Sequence, residues 1–117
     1  MKLTSLKPFV PSGKDFSLAK SFFLDIGFTE NWGSDDICEL QQGEAIFLLQ
    51  NFHNEEMQHN YMLSVTTDNL DDFYAHLLRL DLDKKYPMVR FGKPEDRPWG
   101  TRELHLIDPA GVCWHFL

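Results

Sequence analysis

The chain has 117 residues, of which 43% are hydrophobic and 14% aromatic, and its formal charge is −7. This length allows one domain with a real core, but not a catalytic domain beside a separate regulatory one. The negative charge disfavours nucleic acid as a partner, because phosphates would be repelled, and it fits either a cationic small molecule or simple solubility.

Neither a membrane partner nor secretion is expected. The chain has no run of 18 apolar residues, and its N-terminus does not resemble a signal peptide. Cys38 and Cys113 are too few and too far apart for a disulfide framework. A reduced, cytoplasmic location is therefore the expectation.

The first half of the chain predicts one helix among four strands. Apolar residues recur at helical spacing from Phe16, and Gly27 ends that helix. Prolines at positions 8 and 11 put the first strand at an edge or crossing between units, because proline cannot donate to a ladder. The predicted strands cover 3–10, 28–32, 37–40 and 45–50.

The second half repeats this order after a polar linker over 51–60. A strand over 61–67 precedes a helix from 68 to about 80, for which Asp68 is the expected cap. The later segments are an extended stretch over 85–91, a charged loop over 92–98 and strands over 101–107 and 112–117 around the turn at 108–111.

The two halves therefore predict an α+β fold of two tandem βαβββ modules, about 1–52 and about 58–117, within a single domain. Two short echoes support the duplication: Cys38-Glu39-Leu40 followed by Phe47, and Arg102-Glu103-Leu104 followed by Phe116. Neither half alone has a covered sheet. Together they are expected to form a curved mixed sheet with the helices outside and a cleft within.

No sequence motif indicates catalysis. The sequence has no nucleophile elbow, phosphate loop, dinucleotide fingerprint or zinc-protease motif. His53 and His59 lie in the polar linker and His76 on the second helix, where solvated histidines are the ordinary case.

His105 and His115 are the better metal-ligand candidates, because they lie in neighbouring strands. A four-residue turn would pair Ile107 with Val112. Alternation would then put the two histidines on opposite faces of the sheet, whereas a bulge in the turn would change that.

Two tryptophans are the candidate ligand contacts. Trp99 lies on a Pro-Gly loop before the last strand pair, where it could equally plug the core or serve as a ligand platform. Trp32 precedes Asp35 and Asp36, and an aromatic face beside anionic charge suits a flat cation. A merely solvated turn is the alternative for the two aspartates.

The terminal block resembles a known family. The residues Pro98-Trp99-Gly100, Arg102-Glu103 and Asp108-Pro109-Ala110-Gly111, followed by Cys113 and His115-Phe116, are similar to those of the bleomycin-resistance proteins. These belong to the vicinal oxygen chelate group, which includes glyoxalase I and ring-cleaving dioxygenases. The resemblance covers nearly the full length.

The resemblance implies a homodimer whose N-terminal strands are exchanged around Pro8, with two ligand clefts at the subunit interface. Such proteins confer antibiotic resistance by sequestering a cationic glycopeptide drug without changing it. The family's loop tryptophan corresponds to Trp99, an aromatic of the opposing loop to Trp32, and acidic residues of that loop to Asp35 and Asp36.

The chain also departs from the family. Ile37 stands where a second aromatic is expected, and Ser64 and Thr66 stand where the drug binders carry bulky indoles. A less aromatic cleft is implied. The candidate ligand-binding residues are Trp32, Asp35, Asp36, Ile37, Ser64, Thr66, Trp99, Cys113 and His115.

The catalytic branches of the group require three metal-ligand positions, which here hold Pro8, Tyr61 or Met62, and His115. One ligand of three cannot hold a catalytic divalent ion, so no catalytic residue, metal or cofactor is expected. A metal-dependent lyase, isomerase or dioxygenase remains the alternative, and a structural or regulatory dimer with a vestigial cleft is a third possibility.

Overall fold

Two sheets form, one from each half of the chain. The computed structural model describes all 117 residues, which divide into two units, Met1–His53 and Asn54–Leu117. The elements of the first unit are β1 Phe9–Pro11, α1 Phe16–Ile26, β2 Thr29–Gly33, β3 Ile37–Gln42 and β4 Ala45–Gln50. Its sheet has the order β1-β4-β3-β2, and only the β1–β4 pair is parallel.

The second unit repeats this topology. Its elements are α2 Glu55–Asn60, β5 Met62–Val65, α3 Leu70–Arg79, α4 Leu82–Lys85, β6 Arg90–Phe91, β7 Glu95–Asp96, β8 Arg102–Ile107 and β9 Cys113–Phe116. The strand order is β5-β9-β8-β6 with β7 also on β8, and again only the first pair, β5–β9, is parallel.

The matching topologies confirm the α+β fold of two tandem βαβββ modules. The sequence echoes also fall at matching positions. Leu40 pairs with Phe47 across β3 and β4, and Leu104 pairs with Phe116 across β8 and β9.

Aromatic residues form much of the core in each unit. In the first, helix α1 begins at the Asp15 cap and buries Phe23, whose ring lies 4.9 Å from that of Phe47. In the second, Phe73 of α3 packs 4.4 Å from Phe116. No helix reaches the length and hydropathy that crossing a bilayer would require.

The first strand is shorter than predicted. Residues 1–7 are exposed and lie outside the strands, and the ladder begins only at Phe9. Pro8 accounts for this start, because it has no N–H to donate. Its carbonyl still accepts a bond of 2.9 Å from the Leu48 amide.

The predicted linker is wrong in part, since it contains helix α2. Asn54 caps this helix by accepting from the Met57 amide. Gln58 is buried and donates to the Ala110 carbonyl at 3.0 Å. A tertiary contact thus stabilises a polar segment that has no apolar periodicity.

Two further boundaries differ from the predictions. The cap of α3 is Asn69, whose side chain accepts from the Asp72 amide, and not Asp68. The stretch predicted as extended over 85–91 begins with the last residue of α4, and only Arg90–Phe91 pairs as a strand.

The register of the terminal hairpin is one residue away from the predicted one. The Asp108 amide donates to the Val112 carbonyl at 3.0 Å, and Gly111 adopts a φ of 94°. Ile107 therefore pairs with Cys113 and not with Val112. Because side chains alternate along a strand, this shift puts residues on one face that the predicted register separated.

Asp108 holds that turn together from a buried position. Its side chain accepts from the amides of Ala110 and Val112 and from the Trp114 indole, at 2.9, 3.1 and 2.9 Å. Burial nevertheless raises the pKa of Asp108 to about 6, although these donors oppose the shift.

The raised pKa of Asp108 predicts a pH-dependent stability. The folded state binds this proton more tightly than the unfolded chain, so the contribution is fully present below the ordinary pKa and is lost as pH rises through about 6. Relative to Asp108→Asn, the parent should lose roughly 2 kcal/mol of unfolding free energy between pH 4.5 and 7.5. Urea unfolding of both proteins measures this, and a pH-independent difference would contradict it.

Candidate functional site

The second sheet has an open face opposite its buried residues. Glu103 and His105 of β8 point to this face, as do Cys113 and His115 of β9 and Ser64 of β5. The alternate residues Leu104, Leu106, Trp114 and Phe116 are buried in the core. Strand alternation and the observed register together produce this arrangement.

Glu103 organises the open face. Its residue is only 4% exposed, yet its carboxylate accepts bonds from four side chains. Oε2 accepts from the Trp99 indole at 2.7 Å and from the Thr101 hydroxyl. Oε1 lies 2.9 Å from Nε2 of His105 and 2.9 Å from Nδ1 of His115.

These bonds keep Glu103 ionised. The Thr101 hydroxyl, the Trp99 indole and the His105 ring hold the pKa of this carboxyl well below its usual range. An ionised carboxylate can only accept, so each imidazole donates one N–H to Oε1. In a neutral imidazole, the nitrogen that does not donate carries a lone pair.

Trp99 is presented to solvent in a fixed orientation. The residue is 62% exposed, so it does not plug the core. Its loop is closed by the Arg97 amide donating to the Thr101 carbonyl at 2.7 Å. The indole bond to Glu103 then fixes the ring, leaving its faces available for contact.

His105 and His115 face each other across β8 and β9. They are register partners with ring centroids 4.0 Å apart, contrary to the predicted opposite faces. Cys113 lies on the same face, and burial raises the pKa of its thiol. The thiol is thus protonated at neutral pH and is no ready nucleophile.

The first unit holds a second tryptophan beside a buried glutamate. Trp32 is 49% exposed and pairs in register with Glu39. Lys7 and Asn31 each donate a hydrogen bond of 2.8 Å to the Glu39 carboxylate. These bonds, chiefly the one from Lys7, lower the pKa of Glu39. Each module therefore places an exposed tryptophan beside a buried glutamate, and the two glutamates lie on corresponding strands.

The remaining predicted residues fall into two groups. In the first unit, Asp35 and Asp36 are exposed in the turn before the half-buried Ile37. In the second, Ser64 is exposed and lies opposite His115 in register, while Thr66 is exposed just beyond the end of β5.

The enzyme-type metal site implied by the resemblance does not fit these residues. Pro8 offers no donor, and the exposed side chain at the start of β5 is the Met62 thioether. Only His115 is an ordinary metal ligand among the three positions.

Sequence reasoning missed the roles of Glu103 and His105. Glu103 stands out in the sequence only as part of a motif, and the predicted register puts His105 on the face opposite His115. The available signal was an acidic residue alternating with buried leucine in a strand, since a carboxylate on such a strand needs partners.

Comparisons with known proteins identify the fold. A bleomycin-binding protein from the bleomycin-producing Streptomyces verticillus, solved with copper(II)-bleomycin, is 22% identical over 99% of this chain and 96% of its own, with a TM-score of 0.83. A bleomycin resistance determinant encoded on transposon Tn5 is 22% identical over 97% and 96%, with a TM-score of 0.80.

An enzyme shares the fold less closely. A lactoylglutathione lyase from Agrobacterium tumefaciens is 12% identical over 98% of this chain and 93% of its own, with a TM-score of 0.68. No protein-family model and no curated protein matches the sequence. The chain thus has the fold of the bleomycin-binding proteins, as the resemblance implied.

The Trp99–Glu103 bond predicts a measurable protection of the Trp99 indole proton. Glu103→Gln removes the charge and leaves one acceptor oxygen for several donors, so exchange of this proton with solvent should accelerate about fivefold to tenfold. Nuclear magnetic resonance follows it, with the Trp114 indole, bonded to Asp108, as the internal control. An unchanged Trp99 rate would contradict the prediction.

Proposed function

We propose that this protein binds and sequesters a small planar or cationic ligand of the bleomycin type without changing it chemically. The observation that carries this proposal is the presentation of Trp99. A large aromatic ring is held by a buried carboxylate and is 62% exposed.

The geometry around Trp99 favours binding over a packing role. A bare aromatic face loses unfavourable contact with water when a flat molecule stacks on it. Because Glu103 and the closed loop already fix the ring, little side-chain entropy is lost when the ligand binds.

The charge distribution favours a cationic ligand. Trp32 is followed by Asp35 and Asp36, both exposed, within a chain of formal charge −7. A cation near these groups gains attraction to the carboxylates and to the indole face. Ile37, Ser64 and Thr66 make the proposed site less aromatic than in the drug binders that the chain resembles.

A non-catalytic role is better supported than a metal-dependent lyase or dioxygenase. Pro8, and Tyr61 or Met62, stand at two of the three positions where those enzymes need ligands. Burial raises the pKa of the Cys113 thiol, so this side chain is no ready nucleophile at neutral pH. A cytoplasmic location, expected from the unpaired cysteines, stays a prediction.

We expect Trp99→Ala to weaken binding of bleomycin. Loss of a central aromatic contact typically costs about 1–3 kcal/mol, which is roughly 5-fold to 150-fold in the dissociation constant. Calorimetric titration with metal-free and with copper(II)-loaded bleomycin measures it. Phe52→Ala, which removes an exposed aromatic that no carboxylate holds, is the matched control.

Two results would contradict the binding proposal. One is a parent protein that binds neither form of bleomycin. The other is equal affinity of the parent and Trp99→Ala, which would leave Trp99 without a platform role. Circular dichroism of each variant separates lost binding from lost folding.

The N-terminal arm, defined as residues 1–7, supports a homodimer with exchange around Pro8. Leu3 and Leu6 are each 89% exposed in this arm, and a second copy would give them an apolar surface. Lys7 is tied to Glu39 of its own unit at 2.8 Å, so only the residues before it are available to cross.

Leu3→Ser with Leu6→Ser should therefore weaken the dimer. Burying one leucine contributes about 1.5–3 kcal/mol, so the dimer dissociation constant should rise at least tenfold. Light scattering over a dilution series measures it, with Lys2→Ser as the control in the same arm. A monomeric parent, or variants of unchanged mass, would contradict the proposed exchange.

A further inference from the structure

We propose that His105, Cys113 and His115 form a zinc-binding site on the open face of the second sheet. Two adjacent strands bring these side chains together through the observed hairpin register. One ligand atom from each lies within 4.8 Å of the others. This set shares only His115 with the three enzyme-type positions. His105 and Cys113 are not among them.

The donor chemistry favours zinc. Two imidazoles and one thiol, which releases its proton to solvent when the metal binds, are nitrogen and sulfur donors, which zinc accepts and which magnesium and calcium avoid. Bonds of about 2.0–2.3 Å put the ligand atoms of tetrahedral zinc roughly 3.3–3.8 Å apart. The three half-buried side chains need to close by about 1 Å, which small side-chain rotations supply.

Glu103 prepares the two histidines for metal binding. By accepting one N–H from each ring at 2.9 Å, its Oε1 leaves the second nitrogen of each as a lone-pair donor. A carboxylate behind a metal-bound histidine fixes the tautomer and the ring orientation in this way. Glu103 is a positioning residue in this arrangement and not a ligand.

An unsatisfied atom points to the same site. Nε2 of His115 is buried and has no hydrogen-bond partner. Buried polar atoms are nearly always paired, because leaving one unpaired is unfavourable. A metal ion bound to this nitrogen would satisfy it, which a purely structural histidine pair would not.

Three protein ligands leave the fourth zinc position open. Zinc sites with three protein ligands keep water or another small ligand in the fourth place. Ser64 is exposed and pairs with His115 in register, so it lies on the same face of the sheet. The zinc proposal goes beyond the proposed drug binding and does not depend on it, since zinc alone is the probe.

Equilibrium dialysis of the intact protein with zinc chloride tests the site. The expected result is one zinc per chain. His105→Ala and Cys113→Ala should each weaken binding more than about 100-fold, and Glu103→Gln about tenfold to 100-fold, as outer carboxylates do. The matched controls are His53→Ala and Cys38→Ala, which remove an exposed histidine and a buried thiol of the first unit.

Cobalt(II) provides a second measurement, whose main signal is read on the parent protein. A thiolate-to-cobalt charge-transfer band in the near ultraviolet should appear in the parent and in Cys38→Ala, and should be absent in Cys113→Ala. Zinc should displace it. No bound zinc, no such band, or equal zinc affinity in site and control variants would overturn the proposal.

Discussion

The buried carboxylate of Glu103 is the constraint on which the second unit's open face depends. Placing a negative charge at a 4% exposed position is unfavourable unless hydrogen bonds replace water. Four side chains supply those bonds, and each is oriented by supplying one. The orientation of Trp99 and the tautomers of both histidines therefore follow from one interaction.

The two modules use the same position for different purposes. Glu39 and Glu103 each precede the leucine that pairs with a phenylalanine of the next strand, and each lies near a tryptophan. In the first module the carboxylate holds Lys7, which anchors the N-terminal arm. In the second it holds two imidazoles. A duplicated fold has thus kept a buried acid and changed its partners.

Patterns of apolar residues predicted most of the fold. The spacing from Phe16 and the echoes around Glu39 and Glu103 follow from periodicity, which local sequence determines. Helix α2 and the hairpin register were missed for a different reason. Gln58 finds its partner 52 residues away, and one extra loop residue at Val112 reverses the faces of a strand. The first is a long-range contact and the second depends on the exact geometry of a turn, and neither leaves an apolar periodicity in the sequence.

Packing of the second unit does not require the residues of its open face. The core of the second unit is complete with the alternate residues of β8 and β9, such as Leu104 and Trp114. Threonine or valine on the opposite face would continue the strands without burying a charge. An acid, two histidines and a thiol there stabilise the sheet less than such residues would. Their consistent effect is to orient an indole and two nitrogen donors, which is what a binding surface requires.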